Sequence, residues 1–291
     1  MDITAQALPP RRQPTRPRVA VPAGACDVHA HVFAPAGVYP YAAQRPYTPA
    51  PDTGLAAYRR MLGAIGFARA VLVHSNIYGP DNRATLDALG AMAGAFRGVA
   101  LVRPEVDDAT LERLAAAGMR AVRINLEFPG ELGLGDVERL APRLAARGWH
   151  LQMLTGLARL PGIALRLLAL PLDVVIDHMG LPESAADLAA PGFASLLELL
   201  AAGRVWVKLS APYYGRADAP GYAFATTVAR RLLAARPDRM LFGTNWPHPH
   251  AEPVPDEGAL VDWIAAVTGN PATLRQVLVA NPARLYGFPA E

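Results

Sequence analysis

Short runs of apolar and β-branched residues alternate along this chain with longer stretches rich in Ala, Leu and Arg. The short runs predict strands at 25–33, 68–75, 97–102, 119–126, 150–154, 173–178, 205–211 and 239–245. Helices are predicted between them, near 54–65, 81–95, 108–117, 136–147, 158–169, 191–202, 221–236 and 257–267. One more helix, near 271–280, follows the last strand. Strands that alternate with helices imply parallel βαβ units, and at this length a closed (β/α)8 barrel of the TIM type is the simplest α/β architecture. A doubly wound open sheet is the alternative. No Gly-x-Gly-x-x-Gly follows the first strand, which argues against a dinucleotide-binding version.

Composition narrows the function. The 291 residues are 52% hydrophobic, enough for one large core. Residues 1–22 hold Arg11, Arg12, Arg16 and Arg18 among prolines, with no apolar segment. They read as an arm, flexible or lying on the surface, rather than a signal peptide, and 23–291 as the barrel. No apolar run reaches the roughly 18 residues of a membrane span. The net charge of +3 comes almost wholly from arginine, since Lys208 is the only lysine. Basic residues are scattered, without a run interleaved by aromatics, so nucleic acid is not an expected partner. The single Cys26 excludes an internal disulfide and a cysteine-based zinc site, and fits a reducing cytoplasm.

The chemistry of such a barrel lies at the carboxyl ends of its strands. Three ends carry imidazoles: Asp27-x-His29-x-His31 in the first strand, Asp177-His178 after the sixth, and Asn245-Trp246-Pro247-His248 after the eighth. Strand geometry puts His29 and His31 on one side, where two imidazoles can share a metal or divide substrate binding and proton transfer. Arg123 and Asn125 alternate likewise on the fourth strand. An inner arginine needs an anionic partner, either an acid such as Glu127 or Glu105 or the carboxylate of a ligand. Asn76, Gln152 and the aromatics Tyr47, Tyr213, Tyr214 and Trp246 are further candidates for the substrate wall, as is one of His248 and His250. The breaks at 34–53 and 212–221 have the composition of lids or walls.

Read together, these motifs resemble the amidohydrolase superfamily, in the branch that contains 2-pyrone-4,6-dicarboxylate lactonase and galactarolactone isomerase. Cys-Asp-Val-His-Ala-His-Val-Phe at 26–33 carries the resemblance, with Arg-Pro-Tyr-Thr-Pro at 45–49 and Gly-Met-Arg-Ala-Val-Arg at 118–123. Asp-His-Met-Gly at 177–180, Gly-Thr-Asn-Trp-Pro-His-Pro at 243–249 and Asn-Pro-Ala-Arg-Leu-Tyr at 281–286 complete it. The resemblance implies a distorted (β/α)8 barrel acting on a lactone, a small molecule. Most of the superfamily uses one or two divalent metals, whereas this branch works without one. It further implies that His29, His31 and His178 surround and polarise the lactone carbonyl, and that Tyr47 and Arg123 hold substrate oxygens.

Two departures shape the expected activity. The branch's dicarboxylate lactonase carries extra arginines after the fourth strand and the His-Met-Gly turn. Here those stretches read Glu127-Phe128-Pro129-Gly130 and Leu181-Pro182. A ligand with one carboxylate and several hydroxyls suits Arg123, Asn76, Asn125 and Gln152 better. The second departure is Asn245, which stands where the lactonase has the aspartate that activates water. An amide has no useful basicity. The first expectation is a metal-independent hydrolase of a carboxylated, sugar-acid-like lactone with a histidine as base. No cofactor is required, although adventitious zinc at His29, His31 and His178 stays open. The alternative is an intramolecular lactone isomerase in which Asn245 donates to the oxyanion. A barrel that binds an acidic ligand without turnover is third.

Overall fold

The computed structural model describes residues 5–289 except 44, 93, 129, 131 and 215–220. Eight parallel strands stand in sequence order. They are β1 (Cys26–Ala30), β2 (Arg69–Val73), β3 (Phe96–Ala100), β4 (Met119–Asn125), β5 (His150–Leu154), β6 (Val174–Ile176), β7 (Val205–Ser210) and β8 (Met240–Gly243). The ring closes between β1 and the turn after β8, where the Asn245 N–H donates to His29 O and the His31 N–H to Trp246 O, both at 2.8 Å. Outside it lie α1 (Leu55–Ile65), α2 (Arg83–Ala91), α3 (Asp108–Ala116), α4 (Leu134–Ala145), α5 (Leu160–Ala169), α6 (Pro191–Ala201), α7 (Ala223–Ala235) and α8 (Glu257–Thr268). The barrel expected from the alternation is therefore present.

Two differences have local causes. β6 stops at Ile176 because the next turn is left-handed, with φ of 51° at His178, 57° at Met179 and 54° at Leu181. Non-glycine residues adopt that region only when their surroundings hold them there. The last helix is interrupted: α9 (Pro271–Arg275) passes through a π-turn (Gln276–Ala280) into α10 (Asn281–Tyr286). Pro282 has no N–H for the preceding turn, which favours such a wide loop in the ladder.

The barrel's interior is layered. Cys26, Val28, Val71, Val73, Val99, Ala121, Val175, Trp206 and Leu241 form an apolar lower layer with Tyr286 and Phe288. Phe288 meets the guanidinium of Arg69 at 5.5 Å and that of Arg97 at 4.7 Å, near the starts of β2 and β3. Polar residues fill the layer above.

The described part of the arm is fastened to α8. Thr15 Oγ1 donates to Asp256 Oδ1 at 2.7 Å, and Arg18 Nε donates to Asp262 Oδ2 at 2.7 Å. Thr15 O passes so close to α8 that a Cβ on Gly258 would lie 2.0 Å from it. Gly258→Ala should therefore unseat the arm, at about 1–3 kcal/mol for the overpacked contact. Faster trypsin cleavage after Arg12 and Arg18, with barrel unfolding little changed, is the expected result; an unchanged digest would show that this contact does not hold the arm.

Candidate active site

A bulge in β1 sets the site. Between Asp27 and Ala30 the register with β2 shifts. Asp27 is fully buried and accepts from Tyr58 Oη at 2.9 Å, from Thr244 N–H at 2.9 Å and Oγ1 at 2.6 Å, and from His29 N–H at 3.1 Å. It is a staple between β1, α1 and the turn after β8. Gly243 lets His29 come close, since a Cβ there would lie 2.5 Å from His29 Cβ.

Beneath the imidazoles is a buried ionic cluster centred on Asp177. Its Oδ2 accepts from Arg123 Nε at 3.0 Å and Gln152 Nε2 at 3.1 Å. Its Oδ1 lies 3.3 Å from His29 Nδ1 and 3.5 Å from Lys208 Nζ. Lys208 also donates to Gln152 Oε1 at 2.7 Å and Val28 O at 2.9 Å. Burial pushes Asp177 upward, but His29, Lys208 and Arg123 together hold it well below the usual carboxylate range. Burial lowers Lys208 to about 8, against the pull of Asp177. Of the two partners expected for Arg123, an acid such as Glu127 or Glu105 or a ligand carboxylate, the acid is present but is Asp177; Glu127 accepts instead from Gly156 N–H and Arg159 Nε.

Above this cluster opens a cavity of about 400 Å³. His31, His178, Asn245, Tyr47, Asn76, Arg123 and Asn125 all line it, joined by Ser75, Glu183, Tyr214 and His250. Arg123 has only its Nε engaged among the described residues, so its terminal amines serve the cavity. The His31 Nδ1–H donates to Val73 O at 2.8 Å, which leaves the Nε2 lone pair available. Burial, and then Arg123, hold His31 down to about 3; burial holds His178 to about 3 as well. His178 Nδ1 lies 2.8 Å from Ser210 Oγ.

Four expected residues sit elsewhere. His29 and Gln152 are fully buried in the ionic layer below. Trp246 is 1% exposed and packs on Tyr58 at 5.2 Å between ring centres, away from the cavity. His248 is also buried, against Tyr213 and Glu257, so His250 is the loop imidazole that reaches the cavity. In the isomerase alternative Asn245 offers an amide hydrogen to the oxyanion; here both amide hydrogens are given to Tyr213 and Tyr214. The break at 34–53 supplies Tyr47 to the wall, whereas most of 212–221 lies outside the described residues.

Sequence reasoning missed Asp177 and Lys208 as the centre of the site. An acid before a strand-end histidine and the chain's sole lysine on an inner strand were the available signals. It also placed the metal-capable group differently. Among the described residues, donor atoms of His29, Asp177 and His178 lie within 4.8 Å of one another, so the third member is a carboxylate and not His31. The fit to a divalent ion is poor. Lys208's ammonium already lies 3.3 Å from His29 Nδ1, and both charges beside Asp177 are positive.

The sequence matches the family described as Amidohydrolase over residues 26–288. The chain belongs to this amidohydrolase family. It is 36% identical over 293 residues to a 2-pyrone-4,6-dicarboxylate hydrolase of Comamonas testosteroni, covering 96% of this chain and 94% of that one. A 4-sulfomuconolactone hydrolase of Hydrogenophaga intermedia is 31% identical, covering 100% and 98%. A D-galactarolactone isomerase of Agrobacterium fabrum is 28% identical, covering 94% of each. This amidohydrolase thus has relatives named for opening lactones and for rearranging them. No helix among the described residues is long and apolar enough to cross a membrane.

Proposed function

We propose that the protein is a metal-independent hydrolase of a lactone carrying one carboxylate and several hydroxyls, acting in a reducing cytoplasm. One arrangement carries the reading: free guanidinium amines and an inward imidazole lone pair open on the same cavity. The amines of Arg123 take the substrate carboxylate as a planar fork. Asn76, Asn125 and Tyr47 meet its hydroxyls, and the exposed carboxylate of Glu183 at the wall disfavours a second anion. His31 Nε2 accepts a hydrogen from water as the water oxygen bonds to the carbonyl carbon. The ring C–O bond then breaks, and its oxygen takes up the proton that His31 received, which gives the hydroxy acid and restores the neutral imidazole. The buried cations Lys208 and Arg123 already answer Asp177, so the reading requires no metal.

Isomerisation is the second reading, supported by the low basicity of His31 and by the amide, which is no base, at position 245. A substrate hydroxyl held beside its own carbonyl needs less help than water does. Proton NMR of five- and six-membered aldaric and aldonic lactones in ¹⁸O-water separates the two. Ring-opened acid with one solvent oxygen is expected. A rearranged lactone without label would overturn hydrolysis, and a panel left at its spontaneous rate would overturn both.

A further inference from the structure

A second polar network leaves the cavity beside the imidazoles. Asn245 Nδ2 donates to the Tyr213 hydroxyl at 2.9 Å and to the Tyr214 hydroxyl at 3.1 Å. Tyr213 Oη lies 2.9 Å from His248 Nδ1, and His248 Nε2 lies 3.1 Å from Glu257 Oε1. His248 and Glu257 are fully buried. Valence sets the directions. A carboxylate only accepts, so His248 donates its Nε2–H to Glu257, and in that neutral tautomer its Nδ1 accepts the Tyr213 proton. The Tyr213 oxygen must then accept from Asn245, which turns the NH₂ of that amide toward the tyrosines. The Tyr214 oxygen accepts the other amide hydrogen, and its own proton has no partner among the described residues. Tyr214 lines the cavity and stands edge-on to His178, with ring centres 5.4 Å apart.

We propose that Tyr214 is the catalytic hydrogen donor of this site and that Asn245 and Tyr213 are its positioning residues. Resting on the lactone reading, the assignment has the Tyr214 hydroxyl donate to the lactone carbonyl oxygen as negative charge builds there. No proton need leave it. The relay gives the amide at 245 a reason. An aspartate there could only accept, would draw both tyrosine hydrogens to itself, and would leave the cavity without this donor.

The test is a kinetic cycle on a lactone turned over by the wild-type protein. Tyr214→Phe should lower kcat by about 10²–10³, as loss of one oxyanion donor does, with KM within about threefold. Asn245→Asp should lower kcat comparably, and adding Tyr214→Phe to it should change kcat less than about threefold. Tyr213→Phe should cost about tenfold alone and nothing further in the Tyr214→Phe background, a non-additivity that mere structural damage would not produce. Wild-type-like kcat in Tyr214→Phe, additive losses, or a gain in Asn245→Asp would overturn the assignment. If the wild-type protein opens or rearranges no lactone, the functional reading fails and Tyr214's role fails with it.

Discussion

Asp177→Asn is expected to lower stability by about 3–5 kcal/mol and to abolish measurable turnover, because it leaves buried cations without their counter-ion. The carboxylate answers Arg123 at 3.0 Å and Lys208 at 3.5 Å in a layer with no solvent access to Asp177 or Lys208. Asparagine keeps the shape and removes the charge. The pH dependence identifies the cause. Burial lowers folded Lys208 to about 8, whereas an unfolded lysine holds its proton to about 10.4. The unfolded chain therefore binds more protons between those values, and this group makes stability rise with pH there. Asp177 pulls the Lys208 value upward, so its loss moves the folded value lower and starts the rise at lower pH. The deficit relative to wild type should then be smaller at pH 9 than at pH 6 in urea denaturation. Equal deficits would remove Lys208 as the cause. Lys208→Met in the variant should restore part of the lost stability.

The barrel was legible because its signals are local: periodicity and breaks place each strand to within a few residues. His31, Arg123 and Asn125 were legible for the same reason, since alternation on a strand decides which side chains face inward. The ionic cluster was not. Its members come from β1, β4, β5, β7 and the turn after β6, and no spacing in the sequence relates Lys208 to Gln152 or Asp177. The loop after β8 defeated alternation outright. Asn245 and His248 have φ of 64° and 63°, which sends Trp246 onto Tyr58 and turns His248 toward Glu257. Of the loop's two described imidazoles, His250, beyond that turn, is the one that returns to the cavity. An aromatic and an imidazole beside prolines carry no sign of which way such a turn will throw them.

His31→Asn should lower kcat by about 10²–10⁴, the usual contribution of a positioned base, with little change in KM. Asparagine can still donate to Val73 O, so the loss isolates the imidazole lone pair. The pH profile distinguishes this base from an ordinary histidine. Burial, reinforced by Arg123, holds His31 near 3, so the working neutral form persists down to acid pH. Activity that needs the neutral form is lost only as pH falls through that value. The kcat/KM profile should therefore be level from pH 5 to 8, without the limb near 6.5 that an unperturbed imidazole gives. A bound carboxylate opposes the charge of Arg123 and favours imidazolium. The acid limb of kcat, which reports the substrate complex, should thus lie at higher pH than that of kcat/KM. A kcat/KM limb near 6.5 would assign the base to a more exposed histidine. Coincident limbs would place the substrate carboxylate away from Arg123.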